Sequence, residues 1–318
     1  MTAYHLRGTL LNLLLLIAVF SALYTITAIF YSFHLATLLI LAGLAYLGTA
    51  LNRARLNVSP PRFPLIRQEP EKLGLPPFEE IEFHSRDGIE LSGWYIPSEN
   101  RAAVVLVHAL GSTRVQMRHY AHALVDAGYG ILLFDLRGHA RSGGLSAHGW
   151  LEQDDLLGAV DFLAARAEID KHRIGVIGFA LGAQIAIRAA AVSEAIAAVW
   201  VDGPIPAVFR DYAIEDQPGL RQRFFTPWWW LVYKTVEWLI QRGQPPSLGD
   251  VIPGVSPRPV MVVAAGSERL IAAARKCYEA AREPKMFWQI DDIRFGTGIL
   301  ERGDDYDLKL IGFFNKRL

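Results

Sequence analysis

Downstream of residue 78 the chain alternates short unbroken apolar runs with longer stretches whose apolar side chains recur every three or four positions. Unbroken runs bounded by turn residues mark strands buried on both faces, and the three-to-four spacing marks amphipathic helices. The pattern predicts strands over residues 80–84, 89–95, 103–107, 130–135, 174–179, 195–201, 259–264 and 285–290. It predicts helices over about 113–127, 151–167, 181–192 and 270–281. The first two strands flank Ser85-Arg86-Asp87-Gly88, where Asp-Gly marks a hairpin turn. Alternating strand and helix predict an α/β fold, a mostly parallel sheet with helices on both faces.

The first part of the chain has a different pattern. From Thr9 to Leu51 there are 43 residues without Asp, Glu, Lys, Arg or Pro. One helix of that length runs about 65 Å, roughly twice the hydrocarbon thickness of a bilayer. This arithmetic predicts two transmembrane passes, residues 9–31 and 34–51, joined by a turn near Ser32–His34; because the second pass is short, a single long tilted helix with an interfacial extension is the alternative. A cleaved signal peptide, with an apolar region of only about 7–15 residues, fits poorly. Arg7 precedes the stretch, and Arg53, Arg55, Arg62 and Arg67 follow it. The positive-inside bias then places the main domain in the cytoplasm, for two passes or for one. Between 57 and 78 the pairs Pro60-Pro61 and Pro76-Pro77 favour extended backbone and read as a semi-rigid linker. The expected organisation is an anchor over 1–56, a linker over 57–78 and an α/β domain over 79–318.

Composition narrows the function classes. The chain has 32 basic and 32 acidic side chains, so no basic field draws it to nucleic acid. The single cysteine, Cys277, excludes an internal disulfide or a cysteine-based zinc site. Its place within a predicted helix suits packing better than nucleophilic chemistry. No residue pattern calls for a cofactor or a metal; His119 and His122, three apart, lack a third ligand in any motif.

Chemistry is expected where strand 174–179 meets helix 181–192, at Gly178-Phe179-Ala180-Leu181-Gly182. Small residues on either side of a central position allow a sharp strand-to-helix turn, the geometry of a nucleophile elbow. His108-Ala109-Leu110-Gly111 resembles an H-G-x-G oxyanion loop. The segment from Phe134-Asp135 through Arg137-Gly138-His139-Ala140-Arg141-Ser142 resembles F-D-x-R-G-H-G-x-S. On these motifs, in this order, residues 77–318 resemble the α/β-hydrolase family, near its serine-aminopeptidase and small-esterase branch. The resemblance implies a triad of nucleophile, acid and histidine in that chain order. This sequence departs from it. Ala180 stands where the serine is expected. All nine histidines lie at or before His172, and Phe295 matches the histidine position. Glu268 matches the acid if one residue is deleted, and it reads equally well as a solvated loop residue. The oxyanion donors implied are the N–H groups of Leu181 and of Ala109 or Leu110.

The insert over about 205–255 falls where the family carries a cap. It holds Phe224, Phe225, Trp228, Trp229, Trp230, Tyr233 and Trp238. It reads either as a helix packed over the old active site or as an element touching the membrane interface. With His108, the side chains of Trp228, Trp230 and Tyr233 are the expected lining of a pocket. Two functions follow. One is a membrane-bound pseudohydrolase that binds an apolar small molecule or a membrane protein partner. The other is a serine hydrolase acting on ester, thioester or peptide bonds, rebuilt around Ser112, Ser142 or Ser267 with His108 or His139 as base.

Overall fold

The computed structural model describes residues 3–62, 70–206, 208–212 and 219–318. Parts of the expected linker (63–69) and of the expected cap (207 and 213–218) lie outside the described residues. The chain divides into two units, Met1–Asn52 and Arg53–Leu318.

The first unit is helical and corrects the two-pass expectation. Helix α1 (Ala3–Val58) is continuous, with no turn near Ser32. The physical reason is local. Between Gly8 and Gly43 there is neither glycine nor proline to break the helix, and length alone does not make a turn. Several of its threonine hydroxyls are satisfied within the helix, as where Thr25 Oγ1 donates to Ser21 O at 2.8 Å and Thr37 Oγ1 to Phe33 O at 2.9 Å. At 1.5 Å per residue α1 is about 84 Å long. It is one helix long and apolar enough to cross a membrane, so a multi-pass arrangement is not supported.

The second unit is built on an eight-stranded sheet. Its strands are β1 (Glu79–His84), β2 (Glu90–Ile96), β3 (Ala103–Val107), β4 (Gly130–Phe134), β5 (Ile174–Phe179), β6 (Ala198–Asp202), β7 (Val260–Ala265) and β8 (Lys285–Ile290). Their order is β1-β2-β4-β3-β5-β6-β7-β8, antiparallel where β2 meets β1 and β4, and parallel elsewhere. The Asp87-Gly88 hairpin forms, with Ser85 N donating to Ile89 O at 2.9 Å. Every side chain of β3, β4, β5 and β6 is buried, as expected of strands covered on both faces. Strand β6 starts three residues later than its hydrophobic pattern suggests and ends on Asp202.

Five helices of the unit matter for the site. They are α2 (Arg118–Val125), α3 (Gln153–Ala164), α4 (Leu181–Val192), α5 (Leu220–Ile240) and α6 (Glu268–Ala280). A further helix, α7 (Gly303–Asn315), buries Tyr306, Leu310, Phe313 and Phe314 and packs with α2. Helices α3 and α4 pack together, with α4 crossing β5 and β6.

Candidate active site

The turn from β5 into α4 is an elbow. Ala180 caps α4 with φ 52° and ψ −105°, a region that side chains other than hydrogen rarely adopt. Such strain costs about 1–3 kcal/mol and persists only where the surroundings enforce it. Two glycines do so. A Cβ on Gly178 would collide with the main chain at Gly182, and one on Gly182 with the carbonyl of Val107. The helix start therefore passes directly over β5 and β3. Ala180 N also donates to Asp202 O at 3.0 Å, tying the elbow to the end of β6.

Phe295 lies where the ends of β5, β6 and β7 converge. Its ring is 5.2 Å from that of Phe179, the residue before Ala180. A Cβ on Gly203, just past β6, would collide with the Phe295 ring, and one on Gly266, just past β7, would approach Phe295 Cβ to 3.0 Å. Glu268 does not join this group. It opens α6, is exposed, and its carboxylate makes no hydrogen bond among the described residues.

Asp202, which the sequence offers as a turn former or as an alternative acid, ends β6 beside the elbow. The structure buries it. Asp202 Oδ2 accepts from Tyr120 Oη at 2.6 Å and Tyr306 Oη at 2.7 Å, and Trp200 Nε1 donates to Tyr306 Oη at 3.2 Å. Burial pushes the Asp202 carboxyl above its ordinary range, although both tyrosine hydroxyls favour its ionised form. Tyr120 and Tyr306 come from α2 and α7, 82 and 104 residues away, so no local signal in the sequence pairs them.

The loop after β3 is held from several sides. His108 donates from Nδ1 to Ala109 O at 2.7 Å, and its Nε2 accepts from Leu136 N at 3.0 Å. Burial, with His139 nearby, pushes His108 down to about 3, so it is neutral at physiological pH. His139 bonds Arg137 O at 2.9 Å and accepts from Gly111 N at 3.0 Å. Both rings thus use both nitrogens on the main chain. Ser142 Oγ donates to Asp135 O at 2.6 Å and accepts from Ser92 N at 3.0 Å. Among the described residues no serine hydroxyl is hydrogen-bonded to a histidine ring.

Of the expected oxyanion donors, Ala109 N is taken: it donates to Gln116 Oε1 at 2.9 Å. Leu110 N has no hydrogen-bond partner among the described residues, and Leu181 N belongs to the first turn of α4, where no i−4 helical carbonyl exists. Gln116 escaped the sequence reading because nothing in a loop's composition says which side chain will fold back. Beneath the loop Arg114, 1% exposed, is paired to Asp135, while Arg137 bonds Asp155 and Asp87. Asp135 thus holds Arg114, while Asp87 and Asp155 hold Arg137.

The expected pocket residues do not converge. His108 is engaged within its loop. On α5, Tyr233 is fully buried and stacked on Trp150, with centroids 6.1 Å apart. Trp228 is half-buried against Trp229, whereas Trp230 is 49% exposed. A cleft of about 110 Å³ lies by Pro204, Leu248 and Cys277, and one of about 460 Å³ by Met261, Trp288 and Phe313; neither is lined by Ala180. Cys277 is buried and its thiol is pushed up to about 12 by desolvation, which fits a packing role.

A family model for the alpha/beta hydrolase fold matches residues 102–233. The uncharacterized protein YfhR of Escherichia coli strain K12 is 26% identical over 249 residues, covering 74% of this chain and 80% of that protein. The uncharacterized protein Rv2307c of Mycobacterium tuberculosis is 28% identical over 223 residues, covering 67% and 70%. Among solved structures, the esterase Pf2001 of Pyrococcus furiosus aligns with a TM-score of 0.66 at 24% identity, over 82% of this chain and 98% of that one. The hypothetical protein PA2218 of Pseudomonas aeruginosa aligns with a TM-score of 0.62 at 20% identity, over 81% and 100%. Strand order, elbow and family match agree on an α/β-hydrolase fold for this chain.

Proposed function

We propose that this protein is a membrane-anchored pseudohydrolase, an α/β-hydrolase domain that binds a ligand or partner without acyl transfer. The observation that carries the reading is the elbow itself: a strained turn with alanine at its apex and a phenylalanine ring beside it. Acyl transfer needs a heteroatom to attack and a base to take its proton. Ala180 offers neither oxygen nor sulfur, and no histidine follows position 172. Loss of nucleophile or base in such a triad lowers kcat by about 10⁶-fold. The engaged Ala109 N–H weakens the other half of the machinery, because an oxyanion donor already bonded to Gln116 is not free for substrate.

Anchoring rests on α1, with the domain on the cytoplasmic side because Arg53, Arg55 and Arg62 outnumber the single Arg7 on the other flank. The bound species is apolar or a membrane protein, in keeping with the aromatic helix α5. Purified protein should resist fluorophosphonate probes and leave p-nitrophenyl esters intact. Ala180→Ser alone should remain inert, while Ala180→Ser with Phe295→His should gain labelling at residue 180. Labelling of any serine in the unaltered protein sinks the reading, and protease protection of the C-terminal domain in inside-out vesicles sinks the orientation.

A further inference from the structure

The second unit leaves few large apolar side chains open to solvent, and most of them lie on one helix. Among its described residues ten are exposed, and six of these belong to α5: Leu220, Phe224, Phe225, Trp230, Trp238 and Leu239. Leu220 is 87% exposed and Trp238 70%. Single exposed apolar side chains are ordinary, whereas a cluster of them marks a surface that meets something apolar.

The spacing puts this cluster on the outward side of the helix. Leu220, Phe224, Leu231 and Trp238 are four, seven and seven residues apart, so they share one face of α5. Val232, Tyr233 and Val236 are fully buried and hold the opposite face against the domain. A surface helix with a packed inner face normally turns polar and charged side chains outward. On α5 the outward face is apolar from the first turn to the last, with Trp230 on its flank.

Contacts within the second unit set α5 next to the end of α1. The last six residues of α1, Arg53–Val58, belong to this unit, and Ala54, Asn57 and Val58 are buried in it. Arg53 lies close enough to His148 for its charge to act on the ring. His148 Nε2 is 3.5 Å from Tyr233 Oη, in the second half of α5, and Trp150 stacks on the same tyrosine. Just past α1, Arg62 Nη2 donates to Gly144 O at 2.8 Å, and the neighbouring Leu145 is exposed. The stretch without charges ends at Leu51, so a chain anchored by α1 leaves the bilayer beside these contacts.

The chemistry of the stripe selects its partner. Residues 220–242 carry Arg221, Arg223, Lys234 and Arg242 against one acid, Glu237, which Lys234 pairs at 2.7 Å. Leucine, phenylalanine and tryptophan on one side with basic residues flanking them is the pattern of a helix lying in a membrane surface, its apolar face about 5–10 Å into the head-group boundary. A second helix would be met by a seven-residue repeat of leucine, isoleucine or valine. The repeat here contains Pro227 and ends in Trp238, whose amphipathic ring collects at the membrane–water boundary.

We propose that the outward face of α5 rests in the surface of the bilayer that α1 spans, so that the domain lies against its membrane. The inference rests on the anchoring part of the function proposed above and is independent of whether Ala180 precludes turnover. The test reconstitutes the full chain in phosphatidylcholine vesicles with brominated acyl chains, which quench only tryptophans that reach the bilayer, and reads emission after flotation. Residues 1–58 contain no tryptophan, so the anchor itself is silent. Trp230 and Trp238 are two of the eight tryptophans, and emission should fall by roughly a quarter relative to unbrominated vesicles. Both side chains are exposed, so the double variant Trp230→Phe with Trp238→Phe should fold and should lose most of that fall. A chain that floats with the vesicles and shows no quenching overturns the inference and leaves anchoring intact, whereas a chain that does not float overturns both. Quenching undiminished in the double variant overturns it as well. So does a dimer in detergent that Trp238→Arg disperses, which would assign the stripe to a second copy of the chain.

Discussion

Replacing Asp135 by asparagine removes a charge and almost no volume from a position with no access to water. Its partner Arg114 donates three hydrogen bonds to the carboxylate, from the main-chain N at 2.8 Å, Nε at 3.0 Å and Nη2 at 2.7 Å. An asparagine can still accept from the main-chain N, but its amino group then faces the guanidinium, donor against donor. Stranding a buried charge costs about 3–5 kcal/mol. Two contacts remain to Arg114, Ser92 Oγ at 2.7 Å and the face of Trp94 with a centroid distance of 5.1 Å, which argues for the lower end, about 3 kcal/mol. For a domain of this size that lowers Tm by roughly 6–12 °C, to be read by intrinsic fluorescence of the detergent-solubilised chain. Combining Asp135→Asn with Arg114→Met removes the stranded cation and should recover part of the loss, a coupling that independent sites do not show. A Tm within 2 °C of the parent for Asp135→Asn, or a double variant less stable than that single one, would refute the reasoning.

Other outcomes follow from the same structure. Gly182→Ala forces a Cβ into the Val107 carbonyl and should destabilise by at least about 2 kcal/mol in a denaturant titration; tolerance would show that the elbow is not held by close crossing. His108 and His148 are pushed down to about 3 and about 4, whereas the unfolded chain takes up both protons near pH 6.5. Stability should therefore fall as pH drops from 6.5 toward 4, by up to about 1.4 kcal/mol per pH unit for each histidine, and His148→Asn should flatten that slope. Cys277 should resist iodoacetamide at pH 8 in the folded protein and react once the protein is denatured; rapid labelling of native protein would contradict its burial. Alkaline carbonate should leave the full chain in the membrane pellet, and its release would argue against α1 as an anchor.

The strands were legible because each is a local apolar run, and seven of the eight begin and end within a residue or so of the positions that pattern predicts. Helix α1 departs from the two-pass expectation because 34 consecutive residues from Thr9 to Ala42 contain no helix breaker, which decides against a turn more strongly than length decides for one. Helix α7 went unseen although Tyr306, Leu310 and Phe313 keep the three-to-four spacing, since its first turn is acidic and masks the stripe. The strand-to-helix turn at Ala180 could be placed by its motif. The bonds of Asp202 to Tyr120 and Tyr306 could not, because they join residues that only the sheet brings together.

The position of β3 in the sheet has a consequence for synthesis. Its neighbours β4 and β5 both lie downstream, and Ala103 pairs with Ile174. At roughly 5–20 residues per second, translation takes about 4–14 seconds to supply that second partner. Helix α1, whose hydrogen bonds are all local, is complete long before then. The apolar helix is thus complete and exposed while the sheet is still unpaired at its centre, so the two units form at different times during synthesis.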